Sequence, residues 1–176
     1  EVALAVNGND SWMENQVTLN PINDKEVGKF IFAIDTKATK LYGPIEAYAY
    51  VVVDGKKEIT ETYKLTIKAN IVEDFSSMTI EQKQQSPMIE TKSVIDLGTI
   101  AAGKHLKGQI HVKNIGVNPL QIRRAYSVDK QITLKPCKAV KSGRTGTIQV
   151  DINTQGRNPG KYSREVVIIS NDYEHS

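Results

Sequence analysis

Arginine is missing from the first 122 residues, and cysteine and tryptophan occur once each and histidine three times in a chain of 176. Each scarcity excludes something. Cys137 alone permits neither an intramolecular disulfide nor a cysteine-based metal cluster, so stability must come from packing. A lone cysteine suits the cytosol and the bacterial envelope alike and does not choose between them. Long apolar runs are lacking too: "AYVVV" and "VVII" fall far short of the roughly 20 residues a membrane-spanning helix requires. No cationic start followed by an apolar stretch and a small-residue cleavage site is visible at the N-terminus. No window of eleven or more residues carries a helical apolar stripe.

What is present is period-two alternation, the mark of half-buried strands. Ile110 and Val112 oppose Gln109, His111 and Lys113, and Ile148, Val150 and Ile152 oppose Thr147, Gln149 and Asp151. Leu65, Ile67 and Ile71 share a face in "YKLTIKANI", while "YAYVVVDG" and "REVVIISND" read as strands covered on both faces. The fold class is all-β.

The chain also repeats itself. "QVTLNP" at Gln16 to Pro21 returns 115 positions later as "QITLKP" at Gln131 to Pro136. "GKFIFAIDT" at Gly28 to Thr36 returns at an offset of 118 as "GTIQVDINT" at Gly146 to Thr154, so the connection between the segments is expected to be longer in the second copy. "YVVVDG" at Tyr50 to Gly55 matches "VVIISND" at Val166 to Asp172 in character. Three strand-like segments in the same order predict two similar β domains, residues 1–75 and 93–176, joined by a polar connector over 76–92 with Pro87 near its middle. The first copy lacks counterparts of the N-terminal strands, and the second stops at "NDYEHS" without a closing strand. The expectation is a longer natural protein, or edges covered by another chain or by the partner domain.

"VIDLGTIAAGKHLKGQIHVKNIGVNPLQI" followed by "AVKSGRTGTIQVDINTQGRNPGKYSREVVIISND" resembles the immunoglobulin-like repeats of the ASH/Hydin type. It is most similar to a bacterial envelope family of unknown function. The resemblance rests on the opening strand at Ile95 to Ile100, the Gly103 turn, "VKNIGVNPLQI", "SGRTG", "GKY" and "SND", and the first copy carries only its later half. It implies two tandem immunoglobulin-like β-sandwich domains in a periplasmic or cell-surface protein that binds or scaffolds and has no catalytic residues. Many relatives carry Cys-Gly-Cys after the strand following the Asn-x-Gly turn; this chain has "RRAYSVDK", so no metal or redox role carries over.

The chemical candidates thin out quickly. His111 lies on the polar face of a strand, His105 in a turn and His175 at the chain end, and no two stand at a chelating spacing. Cys137 sits between Lys135 and Lys138, which favour a thiolate, but no base is in evidence beside it. Glu73 with Asp74, and Asp24 with Glu26, lie in turn-like segments and read as surface carboxylates rather than an acid-base pair. Asn9, Asp10 and Glu14 offer oxygens to a cation, and Trp12 beside them could stack on a sugar, but the spacing fits no calcium loop. Neither a cofactor nor an enzymatic activity is expected.

Charge is more telling. Residues 1–75 hold 8 lysines and 12 acidic residues, a net of −4, whereas 93–176 hold 13 lysines and arginines against 6 acidic residues, a net of +7. Such asymmetry suits attraction between domains, head-to-tail association, an anionic partner, or simply a solvated basic surface. The candidate basic surface comprises Arg123, Arg124, Lys135, Lys138, Arg144, Arg157, Lys161 and Arg164. Only Tyr126 and Tyr162 lie near its arginines, too few aromatics for a nucleic-acid interface. The partners expected are another envelope protein or a second copy of the chain, with an anionic glycan as the alternative.

Overall fold

The computed structural model describes residues 2–6, 13–18, 22–23, 25–36 and 41–175. Among the described residues the protein is nearly all β, with twelve strands and only short helical turns. It divides into two compact units, Glu1–Ile71 and Val72–Ser176.

In the first unit, β1 (Val2–Val6) and β6 (Lys64–Ile71) both pair antiparallel with the long β4 (Gly43–Val53), which turns into the short β5 (Lys56–Lys57). The β4–β5 turn is Asp54-Gly55, with φ of 47° and 75°. Two consecutive positive φ angles make the primed turn whose twist matches that of the flanking strands. Along β6 the expected alternation holds: Leu65, Ile67, Ala69 and Ile71 are half-buried or buried, and Thr66, Lys68 and Asn70 are exposed. A separate hairpin pairs β2 (Met13–Val17) with β3 (Phe30–Ile34).

The second unit has a four-stranded antiparallel sheet in the order β10-β11-β8-β7 and a two-stranded sheet, β12-β9. Its strands are β7 (Ile89–Thr91), β8 (His105–Asn114), β9 (Ile122–Tyr126), β10 (Ile132–Lys135), β11 (Thr145–Asn153) and β12 (Val167–Ser170). Both sheets feed one core. Ile110 and Val112 of β8, Ile148 and Val150 of β11, Ala125 of β9, and Leu120 and Val140 from the connections form its centre, with Leu134 and Ile168 packed against them. Leu120, Val112 and Ile148 are fully buried. Side chains of this size contribute about 1.5–3 kcal/mol each on leaving water.

The repeated segments form an antiparallel hairpin in each unit, in different registers. Ile132 stands opposite Ile152 in the second hairpin. In the first, Val17, the counterpart of Ile132, stands opposite Phe30, and Ile34, the counterpart of Ile152, stands opposite Met13. The slip is an even number of residues, which leaves the period-two alternation of the strands intact. The connection spans 18–29 in the first hairpin and 136–144 in the second, so the longer one is in the first, the reverse of the sequence expectation. The offset between repeats counts residues without fixing which of them pair.

Three further segments depart from the sequence pattern. Residues 76–92, read as a connector, carry a short helix, α1 (Ile80–Gln84), and the strand β7, which pairs with β8. Thr79 and Gln82 close a reciprocal capping box at the start of α1, at 3.2 and 2.8 Å. Five residues are too few to show a helical stripe. The stretch 95–100 forms no strand, although Ile95 and Leu97 pack on the core. His105, expected in a turn, is the first residue of β8.

Candidate binding surface

Several polar residues of the second unit, Asn114, Thr154 and Asp172 among them, are buried. Asn114, fully buried at the end of β8, makes four hydrogen bonds. Its Oδ1 accepts from the amides of Met88 (3.3 Å) and Gly116 (3.0 Å), and its Nδ2 donates to the carbonyls of Asn118 (2.8 Å) and Val140 (3.0 Å). Asp172, also fully buried, accepts from the amides of Ile89 at 2.8 Å and Glu174 at 3.0 Å, with His175 Nδ1 at 3.0 Å. Asn171 accepts from the Gln121 amide at 2.7 Å. Thr154 accepts from the Lys104 amide at 2.9 Å and donates to the Lys104 carbonyl at 2.7 Å. These bonds satisfy backbone groups where strands end, where otherwise each would be buried unpaired. Gly116 completes the arrangement: a Cβ there would overlap Met88 N and Ser86 O and come within 2.6 Å of Pro87 C.

The arginines divide by role. Arg123 on β9 grips Glu73 through Nε to Oε2 at 2.9 Å and Nη2 to Oε1 at 2.6 Å, and reaches Gln121 Oε1 at 2.6 Å. Asp129 accepts from both Arg157 and Arg164, the latter through Nε at 3.0 Å. The Arg157 guanidinium, with the Gln131 amide and Arg164, holds the Asp129 carboxyl below its ordinary value. Arg157 and Arg164 both lie over the Tyr162 ring, at 5.1 and 5.5 Å from its centroid, and Arg124 lies over Tyr126 at 4.7 Å. The two tyrosines beside the arginines therefore carry guanidinium groups on their faces.

Lys135, Lys138, Arg144 and Lys161 differ: all are exposed, and among the described residues none makes an ion pair. Three of them, Lys135, Lys138 and Arg144, lie between 135 and 144 on the β10–β11 hairpin, and Lys141 joins them there. Lys141 falls outside the eight positions that the sequence singles out; its signal is the every-third spacing of cations in "KPCKAVKSGR".

The other candidates take structural places. Cys137 is half-buried and packs against the core. Glu73 is held by Arg123, while Asp74 accepts the Ser76 amide at 2.9 Å, and the hydrogen bonds from Ser76 keep its carboxyl low. Glu26 accepts the Asn23 amide at 2.9 Å. His105 meets Asp151 at 2.7 Å and His111 lies 3.4 Å from Thr147 Oγ1, both exposed. Glu14 is exposed on β2; Asn9, Asp10, Trp12 and Asp24 lie outside the described residues. Among the described residues, no three His, Cys, Asp or Glu side chains gather as metal ligands, and no helix is long and apolar enough to cross a membrane.

Residues 88–176 match the family described as "Protein of unknown function (DUF1573)". The chain belongs to the DUF1573 family. The matched region begins one residue before β7 and takes in every strand of the second unit, including the stapling residues Asn114, Thr154 and Asp172. Among curated proteins, none matches the chain. A solved structure described as a protein of unknown function from Porphyromonas gingivalis W83 is similar, with a TM-score of 0.60 and 16% identity over 98% of this chain and 79% of that one. At that identity the likeness is one of fold, so the DUF1573 region and the preceding unit share their architecture with that protein.

Proposed function

We propose that this DUF1573 protein is a non-catalytic, exported module of two tandem immunoglobulin-like β-sandwich domains of the ASH/Hydin type. It serves as a spacer or protein-interaction element in the periplasm or at the cell surface, and its partner is another envelope protein or a second copy of the chain. One observation carries the reading: the side chain of Asn114, in "VKNIGVNPLQI", uses all four of its hydrogen bonds to hold backbone. A motif residue so engaged has no donor or acceptor left for substrate. Two sheets sharing one core support the sandwich architecture. Rigid sandwiches in series suit spacing and presentation.

The test is cell fractionation and surface proteolysis of the natural full-length protein, with in-cell crosslinking. Recovery outside the cytoplasm, crosslinked to one envelope protein or to itself, is expected. A wholly cytosolic protein, or turnover in a broad hydrolase and oxidoreductase screen, contradicts the proposal.

A second reading, binding of an anionic glycan through the basic second unit, is favoured by the exposure of Lys135, Lys138, Arg144 and Lys161 without ion-pair partners among the described residues.

A further inference from the structure

The connection from β10 to β11 reads Lys-Pro-Cys-Lys-Ala-Val-Lys-Ser-Gly-Arg over 135–144, with four cations and no carboxylate. The cations stand at every third position, Lys135, Lys138, Lys141 and Arg144, and all four are exposed. The residues between them anchor the loop. Val140 is 4% exposed in the core, and Cys137 packs against that core.

The backbone is fixed as well. Val140 and Leu120 exchange both of their hydrogen bonds, at 2.8 and 2.9 Å, and Asn114 Nδ2 reaches the Val140 carbonyl at 3.0 Å. Ser142 Oγ donates to the Gly116 carbonyl at 2.6 Å, and the Gly143 amide to the Asn114 carbonyl at 2.8 Å. The stretch to which the loop is stapled, 114–121, contains no charged residue, so nothing in it offsets the loop's charge. The result is a set of four exposed cations on a held backbone, whose ordering cost is met on folding rather than on binding.

Three of the four cations are lysines. Ammonium groups act as compact point charges, whereas planar, bidentate capture of one phosphate or carboxylate is a task for arginine. Several point charges on one loop suit a polymer that repeats its own charge. No aromatic residue occurs between Tyr126 and Tyr162, so the loop offers no surface on which nucleic-acid bases could stack. We infer that the 135–144 loop is a docking ridge for an acidic polysaccharide, a linear glycan with repeating carboxylate or sulfate groups. The inference rests on the second reading above and gives it a site.

The experiment uses the full chain and four probes: polygalacturonate, dextran sulfate, polyglutamate and oligo-dT. Affinity is measured from about 0.02 to about 0.3 M salt, across which screening lengths fall from roughly 20 Å to below 10 Å. Two variants with the same net charge are compared. One carries Lys135→Gln, Lys138→Gln and Lys141→Gln; the other carries Lys104→Gln, Lys107→Gln and Lys130→Gln, all exposed positions of the same unit. Binding to at least one polysaccharide is expected to fall about tenfold or more in the loop variant, with a shallower salt dependence, and to change less than about threefold in the control. Equal losses in both variants reduce the effect to net charge and overturn the site while leaving glycan binding standing. Tighter binding of polyglutamate or oligo-dT overturns the ligand class. No polysaccharide binding at the lowest salt overturns the second reading and the site with it.

Discussion

Arg123 holds Glu73 through two parallel hydrogen bonds across 50 residues of sequence, with both side chains largely shielded from water. The pair fixes the opening residues of the second unit, just past Ile71, onto β9. Parallel geometry and partial burial place it above an ordinary surface ion pair. In a double-mutant cycle with Arg123→Gln and Glu73→Gln, urea unfolding is expected to show a coupling energy of about 1 kcal/mol. Additive single effects contradict the role.

Gly116 admits no side chain. The backbone of Ser86, Pro87 and Met88 occupies the place a Cβ would take, and backbone cannot swing aside as a flexible side chain does. Gly116→Ala is expected to destabilise the second unit by about 2–4 kcal/mol in chemical unfolding. A cost below about 0.5 kcal/mol, the range of an ordinary surface change, shows that the approach is looser than described.

Asn114→Ala strips partners from two amides and two carbonyls at once. The Val140 carbonyl keeps the Leu120 amide, but the part-buried amides of Met88 and Gly116 are left unpaired, and about 3 kcal/mol is expected. If the residue is structural, the loss shows as a lower midpoint in urea unfolding of the full chain. A selective loss of binding with unaltered stability assigns Asn114 to a ligand instead.

Asp129 gives the stability an acid limb. Its carboxyl titrates below the ordinary 3.8, chiefly because Arg157 donates to it, so the folded state favours the charged form. The contribution is therefore complete above the unfolded value and is lost as pH falls through the folded one. The stability difference between the natural protein and Asp129→Asn is expected to hold steady from about pH 7 to about pH 5 and to shrink below about pH 4. A difference that stays constant down to about pH 2 removes the Arg157–Asp129 pair from the account.

How much of this was legible depended on whether the interactions were local. The alternation of Ile110 with Val112 and of Ile148 with Val150 was readable because a strand imposes its period on a single short window. The Asn-x-Gly turn was readable for the same reason. The recurrence of strand-like segments is readable, but the register of the hairpins they form is not, since an even slip leaves the alternation intact. The arginines looked like surface until the fold brought Arg123 to Glu73 and brought Arg157 and Arg164 to Asp129, contacts that no sequence spacing encodes. Lys141 shows its spacing in the sequence, yet an exposed lysine is ordinary by itself, and only a held loop gives the set of cations a meaning.

Asn114, Thr154 and Asp172 staple the second unit's connections as firmly as its strands are held. Amide hydrogen exchange on the full-length protein tests it most directly. Leu120 and Val140 lie outside the regular strands, and amides in such connections ordinarily exchange fast. Both are expected to exchange as slowly as Ile148 and Val112 at the centre of the sheet, and Asn114→Ala is expected to speed them up first. Exchange of Leu120 and Val140 at the rate of the exposed 155–165 stretch, in the unaltered protein, contradicts it.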